Sequence, residues 1–154
     1  MDYREIINDF LRQGLIKKQE INFVQIEKLT LRAQKDLIVA EANLKIDEEA
    51  VYNYAYLAML RCGRSMIFLK GFRTTDGQQH KTVIEITRTI LGKDFKTLVE
   101  KFDRMRKKRN QFTYDPSLPV SEREARNALK TARNFVQKVA QLIKKENPQR
   151  HFNF

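Results

Sequence analysis

The sequence predicts an all-α fold, an antiparallel helical bundle of four to five core helices preceded by a short N-terminal helix. Three observations predict it. Apolar residues recur at three- and four-residue spacing in six successive stretches, the period of a helix with one buried face. Only five glycines and three prolines interrupt 154 residues, too few for the turn-rich connections of an all-β chain. Residues that start or stop helices fall between the stretches.

The elements follow in order. Tyr3, Ile6, Ile7, Phe10 and Leu11 make a first helix that ends near Gly14. Phe23, Ile26, Leu29, Ala33, Leu37, Ala40 and Leu44 lie on the stripe of a second. The third opens after Asp47, runs through "EEAVYNYAYLAMLRCGRSMIFLKGF" and stops at Gly71. It is apolar around more than half its circumference, which places it centrally, with neighbours on several sides. The stretch "RTTDGQQH" reads as a long loop. Val83, Ile84, Thr87, Ile90 and Leu91 form a fourth stripe ended by Gly92, and Asp94 has the chemistry of an N-cap for a fifth helix that stops before Pro116. Ser121 and Glu124 have capping-box spacing for a sixth, whose stripe runs from Ala125 to Ile143. Residues 1–145 therefore read as one domain and 146–154 as a flexible tail.

Composition narrows the function classes. A single cysteine, Cys62, excludes a disulfide framework and a cysteine-based zinc site. His80 and His151 are the only histidines, so no metal and no cofactor is expected. The longest apolar runs are too short to span a bilayer, and the acidic, amphipathic "MDYREIINDF" is unlike a signal peptide, so a cytoplasmic protein is expected. The net charge of +11 is uneven: residues 1–77 hold 12 Lys and Arg against 11 Asp and Glu, whereas residues 78–154 hold 18 against 8. A basic half-chain fits solubility alone, but also the binding of a polyanion, where neutralised phosphates release condensed counterions.

The densest positive stretch is "RMRKKRNQFTYDP", residues 104–116. On a regular helix turning about 100° per residue, Phe95, Leu98, Val99, Phe102 and Met105 share one face. Arg106 and Arg109 fall at roughly +20° and −40° from Phe95, in the middle of that face, while Lys107 and Lys108 point away. Arg104, Lys107 and Lys108 then read as solvated charges available to phosphates. A guanidinium on a core-facing position is costly unless it is paired or reaches a cleft. Two readings stand. Arg109 snorkels or pairs with Glu48, Glu49 or Asp115, or else the helix end opens onto a cleft or dimer seam where two arginines meet a phosphate.

The string "RNQFTYD", following "AQKDLIVAEA" and "AYLAMLRCGRSMIFLKGFR", resembles the HEPN (higher eukaryotes and prokaryotes nucleotide-binding) domain over about residues 22–145. The resemblance implies an all-α bundle that commonly dimerises. It also implies either a metal-independent ribonuclease of toxin–antitoxin, defence or RNA-processing systems, or a non-catalytic partner of a small nucleotidyltransferase. The family signature is an Arg, often a polar residue next, then His after four to six intervening residues. Arg109 matches the Arg and Asn110 the polar residue; four residues later stands Tyr114, where the family has His. By this resemblance Arg109, Asn110 and Tyr114 are the candidate catalytic residues; the charge of the stretch makes Arg104, Arg106, Lys107 and Lys108 the expected phosphate-binding residues. A tyrosine ionising near pH 10 is a poor base at neutrality, so the resemblance implies weakened cleavage. Residues five apart sit about 140° from each other on a helix, so Arg109 and Tyr114 converge only if the helix frays or a dimer brings them together.

Other polar residues have simpler readings. His80 reads as a helix N-terminal residue, with a lesser alternative as a substitute for the missing histidine. Cys62 reads as a small buried hydrophobe, Asp47, Glu48 and Glu49 as a helix start, and Tyr52, Tyr54 and Tyr56 as core rather than a stacking platform.

Overall fold

The computed structural model describes residues 2–75 and 80–154. Six helices carry the fold: α1 (Tyr3–Arg12), α2 (Phe23–Ala42), α3 (Glu48–Leu69), α4 (His80–Leu91), α5 (Lys96–Tyr114) and α6 (Glu122–Glu146). Among the described residues, no helix is long and apolar enough to cross a membrane.

Local chemistry sets most boundaries. Asp2 and Glu5 close a capping box on α1, and Ser121 and Glu124 close the expected one on α6. The Asn22 side chain caps α2 and Asp47 caps α3. Asp94 does not cap α5 as expected: it lies within a 3₁₀ turn, Lys93–Phe95, and the helix starts behind Phe95 without a side-chain cap. Phe95 itself is half-buried and packed against the core. Asp115 is extended ahead of Pro116, the conformation a following proline imposes.

The greasy third segment is central, with α2, α4, α5 and α6 packed around α3. Pairings across the interfaces give the directions. Thr30 meets Ser65 and Asp36 meets Arg61, so α2 and α3 are antiparallel. Asp36 has a fully buried side chain between Arg61 and Arg32, and its burial raises the carboxyl against the pull of those cations. Tyr52 meets Phe112 while Tyr56 meets Phe102, so α5 also runs against α3.

The fourth helix departs from this alternation. Tyr56 meets His80, whereas Gly63 faces Val83 and Thr87, so α4 advances in the same direction as α3. After α3 the chain enters a short antiparallel ribbon that helical periodicity does not predict. In it β1 (Ile16–Lys18) pairs with β2 (Phe72–Thr74), in the register Ile16↔Thr74 and Lys18↔Phe72. Gly14 and Gly71, both at positive φ, turn the chain out of α1 and α3 into these strands. Part of the expected loop is therefore strand, and its residues 76–79 lie outside the described residues.

The C-terminal residues depart from a free tail. Phe152 is buried edge-on to Phe23, Arg150 lies over both rings, and the Asn153 backbone and side chain donate to the Glu27 carboxylate. An aromatic side chain this size loses much by staying in water.

The α3–α4 contact is close because Gly63 has no side chain. A Cβ there would come within 2.9 Å of both Val83 Cγ1 and Thr87 Oγ1. Helix propensity alone would make Gly63→Ala stabilising by about 1 kcal/mol. The clash reverses the sign, and urea unfolding should show Gly63→Ala destabilised by about 1–3 kcal/mol.

Candidate functional site

The C-terminal half of α5 distributes its five cations differently. Lys107 and Arg106 both pair with Asp103, at 3.3 and 3.0 Å. Burial would raise the Asp103 carboxyl, but these two partners outweigh it and hold the group below its ordinary range. Lys108 is not the solvated charge expected. It pairs with Glu124 at 3.3 Å and ties α5 to the start of α6. Arg104 leaves the cluster altogether and lines a groove between α5 and α6, with Lys101, Lys130 and Asn127.

Arg109 is held by neutral groups. Its Nε donates to Asn53 Oδ1 at 2.7 Å, and its guanidinium lies 5.5 Å from the centroid of the Tyr56 ring. The expected pairing with Glu48, Glu49 or Asp115 does not occur; among the described residues its partners are these two side chains of α3. An amide oxygen and an aromatic face orient a cation without cancelling its charge.

Arg106 and Arg109 both line a hollow of about 520 Å³. Asn110 and Tyr114 line it from α5, His80, Lys81 and Thr82 from the start of α4, and Leu15 from the segment before β1. The three residues of the expected motif thus reach one hollow within a single chain. The helix is intact through Tyr114, so fraying does not bring them together. Tyr114 lines the hollow while 87% exposed, whereas Arg109 is half-buried.

His80 belongs to this site and is more than a helix-start residue. Its Nδ1 lies 2.9 Å from the hydroxyl of Tyr56, whose ring also carries Arg109. Burial pushes the imidazole down to about 4, helped by repulsion from Arg109, Arg64 and Arg106. It is therefore uncharged at neutral pH. Burial likewise keeps the Tyr56 phenol protonated, against the opposing pull of Arg109.

Sequence reasoning placed Tyr56 correctly in the core, together with Tyr52 and Cys62. It missed Asn53 and Tyr56 as the floor beneath Arg109. One signal was available: Asn53 is the one amide side chain of α3, on the mostly apolar stretch between Ala50 and Leu60 and three residues from Tyr56. Two guanidinium groups, the Lys81 ammonium and neutral donors around an open hollow make a site suited to an anion with several oxygens. His151 is exposed in the C-terminal segment, away from this constellation.

Comparison with family models matches the HEPN domain over residues 26–144. Neither curated proteins nor solved structures return a match. Proteins with this domain are RNA-related or nucleotide-binding in a broad sense and often dimeric. Since the match runs from the first turn of α2 almost to the end of α6, taking in the helix that carries Arg109, the chain belongs to the HEPN domain family.

Proposed function

We propose that this protein binds RNA through the hollow around Arg106 and Arg109, as a cytoplasmic homodimer of a toxin–antitoxin or defence system, with weak metal-independent ribonuclease activity. The observation that carries the reading is the charge of Arg109, oriented by Asn53 and Tyr56 and left without a carboxylate among the described residues. A permanent cation held this way at the rim of an open hollow is suited to a phosphodiester. In the cleavage step, the ribose 2′-oxygen would bond to phosphorus as the 5′-oxygen leaves. Arg109 would steady the added negative charge and Tyr114 would give a proton to the departing oxygen. The 2′-hydroxyl proton would pass to solvent water, since Tyr114 is a poor acceptor for it, and this keeps the rate low.

A second reading is a non-catalytic subunit that docks a small nucleotidyltransferase. It is favoured by Val24, Leu31 and Ile38, which stand exposed at seven-residue spacing along α2, far from needed core duty. Co-purification with such an enzyme, undiminished by Arg109→Ala, would select it over the RNA reading.

Salt-dependent binding of a short single-stranded RNA tests the first reading. Arg109→Ala should weaken binding about tenfold or more and reduce the slope of log affinity against log salt by roughly 0.7. An unchanged affinity and slope would remove the hollow as the RNA site. In the same protein without RNA, Arg109→Met should unfold within about 1 kcal/mol of wild type, because no buried ion pair is broken. A loss of roughly 3–5 kcal/mol would instead mark Arg109 as a structural cation.

A further inference from the structure

We propose that Tyr56 is a positioning residue that fixes His80 as its uncharged Nε2–H tautomer, and that this N–H and the Arg109 guanidinium together grip one phosphodiester of a bound RNA strand. The identity of the ligand rests on the RNA reading above; the tautomer does not.

The argument starts from the buried phenol. Tyr56 is fully buried, and a buried hydroxyl needs an acceptor for its proton. Among the described residues that acceptor is His80 Nδ1, at 2.9 Å. A neutral imidazole carries one proton, so a ring that accepts at Nδ1 must carry it at Nε2. With Nδ1 turned inward to Tyr56, the edge bearing Nε2 is the one His80 offers to the hollow it lines. The same tyrosine ring supports the Arg109 guanidinium on its face. One side chain of α3 therefore orients donors from two other helices toward a common space.

The surroundings oppose a charged imidazole. Tyr56 and Arg64 approach from α3, Arg106, Arg109 and Asp103 from α5, and Lys81 follows His80 in α4. Cations outnumber the single carboxylate, and that carboxylate is already shared by Arg106 and Lys107. A neutral donor adds a hydrogen bond to phosphate without adding to this repulsion. In this role His80 donates a hydrogen bond and takes up no proton, so it does not replace the histidine missing at Tyr114.

Nitrogen-15 NMR of the full chain reads the tautomer directly, with exposed His151 as an internal comparison. At pH 7, His80 should show a protonated Nε2 and an unprotonated Nδ1, and Tyr56→Phe should relax it toward a mixture of tautomers. A charged His80, or a protonated Nδ1, would overturn the proposal. Binding of a short single-stranded RNA tests the grip: His80→Ala should weaken it about tenfold, while His80→Gln, which keeps a neutral N–H, should stay within about threefold of wild type. Wild-type affinity should be flat from pH 6.5 to 8; a fall across that range that disappears in His80→Gln would mean that an imidazolium binds. On the stability side, the unfolded state binds the His80 proton near pH 6.5 and the folded state only near 4. Stability should therefore decline as pH falls through that window, and decline less in His80→Gln. If wild type binds no RNA, the function reading and the grip fail together, while the NMR result still decides the tautomer.

Discussion

Arg109 resting on Tyr56 is the interaction on which the site depends. A guanidinium in the apolar stripe of a helix has few tolerable arrangements, and a carboxylate partner would neutralise it. Here the partners are an amide oxygen and an aromatic face, both from α3. They fix the position of the cation and leave its field intact. The requirement extends backward into the fold. Tyr56 must be held in place, and it is fully buried against Phe102, which in turn packs against Phe135 of α6. A chain of aromatic contacts thus links the last helix of the bundle to the orientation of one surface charge.

The other four cations of the basic stretch 104–109 illustrate how little a charge count reveals. Two are joined to Asp103, one anchors α6 through Glu124, and one faces a separate groove. The basic stretch is therefore several structures superimposed on one helix. Its positive character still matters as a whole, because long-range attraction of a polyanion depends on summed charge rather than on pairing.

The β1–β2 ribbon has a consequence out of proportion to its length. Without a segment that returns the chain along α3, a helix following Leu69 would run back antiparallel, and its first residue would lie at the far end of the bundle from Tyr56. The ribbon turns the chain back beside α3, where Thr74 and Thr75 line a hollow with Arg64, and α4 begins beside Tyr56. His80 enters the hollow for this reason and not because of anything in its immediate sequence neighbourhood.

Helix number, the stops at Gly14, Gly71 and Gly92, the Ser121–Glu124 capping box, and the anomalous placement of Arg106 and Arg109 were all legible in the sequence. Each depends on residues within a turn or two of one another, where 3.6-residue periodicity and backbone sterics act alone. The family resemblance was legible as well, carried by Arg109, Asn110 and the helices before them. The parallel course of α4, the floor of Asn53 and Tyr56, the inclusion of His80, the diversion of Lys108 to Glu124 and the packing of Phe152 on Phe23 were decided by the tertiary structure. These contacts join residues from 16 positions apart, as in Lys108 and Glu124, to 129 apart, as in Phe23 and Phe152. No local period encodes which of several similar apolar faces will meet; that is settled only when the helices compete to bury them around α3.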